Sequence, residues 1–141
     1  MVRDAADKEI ATIAYNQVTG NGWLTIRVTD GPVYRADVLN NWAWFRVVTL
    51  RTEAGGGAAP LCTYSRSFRE TYYAVGGVRE FCVDLRKYFG SRKVFTIRKC
   101  GQAVGNIRPL DMIMPSGVVM VMPQDVPLPI RLFMLAMEYQ K

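Results

Sequence analysis

Residues 130–139 read Ile-Arg-Leu-Phe-Met-Leu-Ala-Met-Glu-Tyr, and the fold of the chain depends on whether they form a strand or a helix. As a strand, the segment has apolar side chains on both faces, which is typical of a strand buried on both sides. As a helix, it is apolar almost all round, and its Leu, Met and Ala residues favour helix intrinsically. The segment directly follows Pro129, and the preceding run Val118-Val-Met-Val-Met has a β pattern. We therefore predict a buried strand over 130–139, with a helix as the alternative.

The chain before this segment is rich in strand signals that are separated by turn residues. The strongest runs from Trp42 to Thr52, where aromatic and β-branched residues continue with little helical periodicity, and it predicts a central strand. A break is predicted at Asn40-Asn41, just before it. Further strands are predicted over 23–29, 33–38, 93–98, 103–107 and 118–122, whereas 10–15 fits a strand or a short helix.

One segment has the periodicity of a helix. Its apolar residues are Val78, Phe81, Cys82, Leu85 and Phe89, at positions i, i+3, i+4, i+7 and i+11. This spacing predicts an amphipathic helix that ends at Gly90. Together, the patterns predict a mainly β fold, an antiparallel sandwich of jelly-roll type with one or two short helices.

Length and composition indicate one domain, residues 1–141, in which half of the residues are apolar. No apolar run approaches the ~20 residues that span a bilayer, and the sequence starts without an apolar stretch of signal-peptide type. We expect an intracellular, non-secreted protein. Cys62, Cys82 and Cys100 lack CxxC spacing, so we expect free thiols.

The composition argues against catalysis. The chain contains no His, which removes the commonest general base, the Ser-His and Cys-His pairs and any His-ligated metal. No two acids stand at a spacing that would bring two carboxylates together on one strand face. We therefore predict that the protein is not an enzyme and holds no cofactor and no metal.

Positive charge is concentrated in the middle of the chain. Residues 62–108 contain seven Arg and three Lys against three acids, while the whole chain carries a net charge of +6. Three doublets recur at intervals of six residues within an acid-free run: Arg86-Lys87, Arg92-Lys93 and Arg98-Lys99. Arg clamps phosphate oxygens, Lys supplies a point charge, and nearby Tyr residues can stack on unpaired bases. These six residues are the predicted nucleic-acid-binding site, through contacts to phosphates.

Two Trp residues on one face of their predicted strand, together with clustered Met residues near the C-terminus, suggest self-association. We predict that the following residues supply subunit and core packing at an interface between copies of the chain: Trp42, Trp44, Met120, Met122 and Phe133.

Two segments carry a first family resemblance. Phe45-Arg-Val-Val-Thr-Leu-Arg resembles an early core strand, and Leu132-Phe-Met-Leu-Ala-Met-Glu-Tyr a closing apolar strand, of the single jelly-roll coat proteins of very small icosahedral viruses. The resemblance implies two four-stranded sheets and assembly into a virion. Such coats commonly begin with a basic arm, whereas residues 3–9 balance their charges, so genome contact would come from the folded face carrying Arg86 to Arg108.

A second resemblance concerns Lys93-Val-Phe-Thr-Ile-Arg-Lys-Cys-Gly-Gln-Ala-Val-Gly-Asn-Ile, which is similar to a strand-turn-strand repeat of the tubby, LURP-one and scramblase group. That resemblance implies a barrel around an apolar C-terminal helix, with the basic face bound to phosphoinositide or other anionic lipid headgroups.

The expected function is therefore a self-assembling, capsid-type structural protein with a basic, nucleic-acid-facing surface. A membrane-surface module that binds anionic lipid is the first alternative. A non-specific single-stranded nucleic-acid binder is the second.

Overall fold

The computed structural model describes residues 2–15, 24–42, 45–53, 59–68, 70–88, 92–109 and 117–139, with the backbone alone for 40–42, 86–88, 92 and 139. The described residues form eleven strands and one helix. In chain order these are β1 (Val2–Arg3), β2 (Glu9–Tyr15), β3 (Leu24–Val28), β4 (Val33–Trp42), β5 (Phe45–Thr52), β6 (Cys62–Arg66), β7 (Thr71–Val75), β8 (Val78–Tyr88), β9 (Arg92–Lys99), β10 (Gln102–Pro109), β11 (Val118–Val121) and α1 (Leu128–Tyr139).

The strands form one antiparallel sheet in which each pairs with its neighbours in the chain, from β1 to β11. The prediction of a mainly β fold is confirmed. The jelly-roll sandwich is not confirmed, because a jelly roll needs two sheets joined by Greek-key crossings and the described strands follow one another in sequence order.

Two tight turns explain part of this order. Gly76 and Gly77 join β7 to β8 with φ of 61° and 83°, and Cys100 and Gly101 join β9 to β10 with φ of 53° and 78°. Positive φ at both central residues defines the two-residue turn whose twist matches that of the paired strands. Each turn therefore returns the chain directly alongside the strand just completed.

Residues 130–139 form a helix, so the predicted strand is wrong and the alternative is confirmed. Pro129 lies in the first turn of α1, where the N–H that proline lacks has no partner within the helix. The Pro127 carbonyl accepts bonds from the N–H groups of Ile130, at 3.1 Å, and Arg131, at 3.2 Å. The following helix residues are buried and spread around most of its circumference: Ile130, Leu132, Phe133, Met134, Ala136 and Met137.

The predicted helix over 78–89 is also wrong, because Val78–Tyr88 is strand β8. Apolar residues also alternate in this segment, at Phe81, Val83 and Leu85, and the first two of them are buried. Pairing with β7 on one side and β9 on the other selects the strand.

The predicted break at Asn40-Asn41 is likewise wrong. β4 continues through both residues to Trp42, with a register irregularity between Val38 and Asn40, and pairs there with the start of β5. The predicted strand over 42–52 is therefore divided between the end of β4 and β5.

The sheet curls around α1. The Tyr15 hydroxyl on β2 donates to the Ala136 carbonyl at 3.2 Å, and the Tyr73 hydroxyl on β7 donates to the Glu138 carboxylate at 2.8 Å. In a flat sheet β2 and β7 would stand about 24 Å apart, five strand spacings, whereas a helix is only about 10 Å wide. Two such distant strands can contact one helix only if the sheet wraps it, so the concave face forms the core.

Alternation along the strands supplies that core. Buried aliphatic residues two apart on one strand face the helix: Leu24 and Ile26, Val48 and Leu50. Within the described ranges no pairing joins β11 to β1, so the sheet is open. Among the same residues, no helix combines the length and the apolar content needed to cross a membrane.

Candidate polyanion-binding rim

The turns of a sequential antiparallel sheet alternate between its two ends. We call one end the basic rim: it contains the connections β2–β3, β4–β5, β6–β7, β8–β9 and β10–β11. The other end is the opposite rim. Basic residues near the strand ends of the basic rim are Arg46, Arg66, Arg86, Lys87, Arg92, Lys93 and Arg108. Of the acids that the structure describes, Glu70 and Glu138 lie at this rim.

The β8–β9 hairpin brings four of the predicted site residues together. Across it, Lys87 is opposite Lys93, Arg86 is opposite Val94, and Tyr88 is opposite Arg92. The last pair between β8 and β7 is Val83 with Thr71, so β8 continues past the end of β7. The hairpin that carries these two doublets therefore projects from the basic rim.

The third doublet is not part of this group. Arg98 and Lys99 end β9 at the opposite rim, about 20 Å along the strand from the second doublet. Arg98 bonds Asp84 at 2.6 Å, and Lys99 bonds Glu80 at 2.7 Å. Their charges are thus locally compensated.

Strand geometry also divides each doublet. Consecutive residues of a strand occupy opposite faces, so the Arg and Lys positions of one doublet do not share a face. At the second doublet the Lys93 side chain is exposed. The six residues cannot form the single continuous patch that the linear sequence suggested.

The basic rim also exposes aromatic side chains. Phe68 lies in the β6–β7 turn and is 89% exposed, while Phe45 and Tyr15 are 38% and 37% exposed. Among the described residues, these are the aromatic members of the set of exposed large apolar side chains. At the opposite rim the corresponding exposed residues, Leu61 and Val78, are aliphatic. Aromatic rings and surplus cations therefore coincide at one end of the molecule.

The sequence did not indicate a polar cluster on the concave side of this rim. Arg46 on β5 is directly opposite Arg66 on β6, and the next inward pair is Val48 with Tyr64. The Arg66 guanidinium donates to the Tyr64 hydroxyl. The Tyr64 ring contacts Tyr73, with centroids 5.4 Å apart.

Glu138 of α1 completes this cluster. It is half-buried and accepts the Tyr73 hydroxyl bond. Burial raises the pKa of the Glu138 carboxyl, while the Tyr73 bond and the charge of Arg66 act in the lowering direction. No local pattern in residues 130–139 indicated that Glu138 would bond Tyr73, which lies 65 residues earlier in the chain.

The predicted interface residues are placed as follows. Trp44 lies outside the described residues, and Trp42 ends β4 with its backbone alone described. Met120 and Met122 are half-buried and pack against the core. Phe133 is fully buried in α1, edge-on to the Tyr73 ring at 6.0 Å between centroids. Phe133 therefore occupies a core position and not a surface position.

Within the described ranges, no three Cys, Asp or Glu side chains come together as a metal site. The observations define the class of protein: an antiparallel β protein whose sheet curls around a helix and gathers cations and exposed aromatic rings at one rim. No protein-family model, curated protein or solved structure matches the chain.

Proposed function

We propose that the protein binds anionic membrane surfaces through its basic rim. The observation that carries this proposal is the position of Phe68, 89% exposed, at the same rim as the two projecting doublets. An exposed ring among cations matches the two requirements of a peripheral membrane contact, electrostatic attraction and burial of an apolar anchor.

The magnitudes support a combined effect. Each Lys or Arg near an anionic leaflet contributes about 1 kcal/mol, and burying a Phe side chain contributes about 1.5–3 kcal/mol. Neither contribution alone holds a protein firmly on a membrane. Several cations and one aromatic anchor at the same rim give reversible binding with a defined orientation.

The opposite rim is suited to face water. Its cations are accompanied by acids, as in the Arg3–Asp7 ion pair at 3.1 Å and the Lys99–Glu80 pair at 2.7 Å. The molecule is thus electrostatically polar from end to end, which favours docking by one rim.

The architecture gives the lipid proposal further support. The resemblance of residues 93–107 to the tubby, LURP-one and scramblase group implies a sheet structure around an apolar C-terminal helix. α1 lies inside the sheet in the corresponding way. This favours the lipid alternative over the coat-protein alternative, whose closing segment would be a strand.

Sedimentation with vesicles tests the proposal, and strand β9 provides a matched control. Arg92→Gln/Lys93→Gln and Arg98→Gln/Lys99→Gln remove the same charges from the two ends of one strand. We expect the first variant to lose binding to phosphatidylserine-containing vesicles by about tenfold or more, and the second to bind nearly as the unmodified protein does. Equal losses in the two variants would exclude docking by the basic rim.

Self-assembly as a capsid-type protein, with nucleic acid on the basic surface, is the second candidate. The open edge favours it: β11 reads Val-Val-Met-Val, carries no charge, and has Val121 49% exposed. An uncharged edge strand is a template for pairing with another chain. The jelly-roll arrangement is not confirmed, so the fold does not support this candidate. Its test is whether the protein assembles.

Light-scattering mass with absorbance at 260 and 280 nm across the same peak tests this second candidate. A large particle that contains nucleic acid would favour it over membrane binding. A 15.9 kDa monomer would remove it. Retention of a single-stranded oligonucleotide by that monomer, without vesicle binding, would favour the non-specific nucleic-acid binder.

A further inference from the structure

The two edges of the open sheet differ in how well they are protected against pairing with another chain. At one edge, β1 has only two residues, and its register with β2 is irregular. Arg3 of this strand also forms an ion pair with Asp7 at 3.1 Å. Short length, irregular register and charge are the features by which natural sheets keep an edge strand from associating. The β1 edge is therefore protected.

β11, at the other edge, lacks two of these features. Its residues Val118-Val-Met-Val carry no charge, and its register with β10 is regular over all four of them. Val121 is 49% exposed. In the part of the chain that the structure describes, no strand pairs with the outer side of β11. This edge therefore presents backbone donors and acceptors next to an exposed apolar side chain.

A second copy of β11 is the occupant that fits this edge. Because the strand has no charge, two copies approach each other without like-charge repulsion, and directly opposed positions are apolar on both faces. β1 of a second copy fits less well, because of its charge and its irregular register. A charged peptide finds no complementary charge on β11.

We propose that two copies of the chain pair through β11 as an antiparallel, two-fold symmetric dimer. Antiparallel pairing continues the pattern of the whole sheet and keeps the concave faces of both copies on the same side. The contact uses the same strand of both copies, so it closes at two subunits and leaves β1 unpaired. Such a pair differs from a capsid shell, in which each subunit needs several neighbours. Met120, a predicted interface residue, lies in this strand.

The symmetry of this dimer places its two basic rims at opposite ends. The β10–β11 connection belongs to the basic rim, so β11 runs from that rim toward the opposite rim. A two-fold axis that reverses β11 also reverses the direction in which the basic rim faces. Each end of the dimer then exposes one Phe68 ring beside its cations.

The dimer can therefore join two anionic membrane surfaces, one at each end. This bridging rests on the proposed membrane binding by a single basic rim, whereas the pairing of β11 does not. One short strand pair is a small contact, and small interfaces are typically weak and transient. We therefore expect a reversible dimer that forms as the protein concentration rises, or when copies are concentrated on a membrane.

The experiment combines light-scattering mass over a dilution series with the turbidity of phosphatidylserine-containing vesicles. The unmodified protein should rise from 15.9 kDa toward twice that mass and should cluster the vesicles. Val121→Lys places a charge on the edge and should leave the protein monomeric, because a Lys on an edge strand opposes pairing. This variant should still sediment with vesicles but should no longer cluster them.

Val78→Lys is the matched control, because it adds the same charge at a position that is 66% exposed on β8, between two paired strands. It should dimerise and cluster vesicles as the unmodified protein does. Amide hydrogen exchange tests the pairing without any substitution. Exchange at residues 118–121 of the unmodified protein should slow as the concentration rises, since the outward N–H groups become bonded.

The outcomes separate the pairing from the bridging. A mass of 15.9 kDa at every concentration, a particle larger than two copies, or an undiminished dimer in Val121→Lys would overturn the pairing through β11. A dimer that binds vesicles without clustering them would overturn the opposed arrangement of the two rims. If the dimer forms but no vesicle is bound, the pairing stands and the membrane function fails.

Discussion

The Tyr73 hydroxyl, fully buried on β7, donates to the Glu138 carboxylate of α1 at 2.8 Å. This bond joins the last turn of the helix to the centre of the sheet. Burial raises the pKa of Tyr73 well above its usual value, and the charge of Glu138 raises it further. The phenol therefore remains protonated and available as a donor at neutral pH.

Tyr73→Phe should destabilise the protein by about 1–3 kcal/mol, because it leaves a half-buried carboxylate without its donor. Chemical denaturation measures this loss. Tyr15→Phe is the comparison, since it removes a neutral bond to the Ala136 carbonyl and should cost only about 0.5–1.5 kcal/mol. A smaller loss for Tyr73→Phe than for Tyr15→Phe would show that the carboxylate does not depend on Tyr73.

Alkaline pH should destabilise the protein through Cys62. Burial raises the pKa of this thiol from 9.0 to about 12, with Glu80 contributing in the same direction. Between these values the folded state retains a proton that the unfolded state has lost, so the free energy of unfolding falls as pH rises, by roughly 1 kcal/mol per pH unit. The contribution is complete below pH 9 and is lost as pH rises through the folded pKa.

Cys62→Val removes the titrating thiol with little change in volume and should reduce that slope between pH 9 and 11. Tyr64, whose pKa is raised to about 12 by burial, contributes with the same sign, so part of the slope remains. Cys100→Ser changes an exposed turn and serves as the control. An unchanged slope in Cys62→Val would contradict the assignment.

Phe68→Ser should weaken binding to anionic vesicles by about tenfold or more while changing stability by less than about 0.5 kcal/mol. The ring is 89% exposed, so folding gains little from it. Val78→Ser, at a position 66% exposed on the opposite rim, should leave binding unchanged. Vesicle sedimentation measures binding of both variants, and thermal unfolding measures their stability. If only Val78→Ser lost vesicle binding, the protein would dock by the opposite rim.

Gly105→Ala should destabilise the protein by about 1–3 kcal/mol, because the added methyl would meet the Met122 sulfur and the Val121 carbonyl oxygen. Gly105 lies beside the register shift between β10 and β9, where the chain also contacts the end of β11. Adding Met122→Ala relieves only the sulfur contact, so it should restore stability only in part. A Gly105→Ala protein with unmodified stability would indicate that β11 can shift outward without cost.

Some strands were predicted correctly because their local sequence pattern is sufficient to define them. β3, β9 and β10 consist of β-branched or alternating residues bounded by turns, and their structure agrees with the local pattern. The Gly76-Gly77 pair was a turn signal of the hairpin type. The helical spacing that begins at Val78 nevertheless predicts a helix directly after this turn.

The two wrong assignments have opposite physical causes. In β8 the apolar residues satisfy both helical spacing and alternation, and only pairing with β7 and β9 selects between them. In α1 the local propensity was correct, but the flanking prolines and the β pattern before them outweighed it. Whether residues 130–139 form a strand or a helix depends on whether the sheet leaves space for a helix on its concave side. A local sequence pattern does not contain that information.

The candidate site was predictable only where it is local in the chain. Two doublets meet because a hairpin joins them, and they are close in the chain, although the sequence pattern predicted a helix for the first of them. The opposition of Arg46 to Arg66, the burial of Glu138 beside Tyr73 and the separation of Arg98 from the others depend on register and strand length. Those properties are fixed by pairing across the whole sheet.

The position of α1 at the centre of the sheet has a consequence for how the protein is made. The eleven described strands all precede the helix in the chain, so a ribosome delivers them before the residues around which the sheet curls. Until then the buried faces of the strands have no partner and are exposed to association with other chains. Compaction therefore awaits the synthesis of α1, and a nascent chain stopped before Leu128 is exposed to association and to chaperone binding.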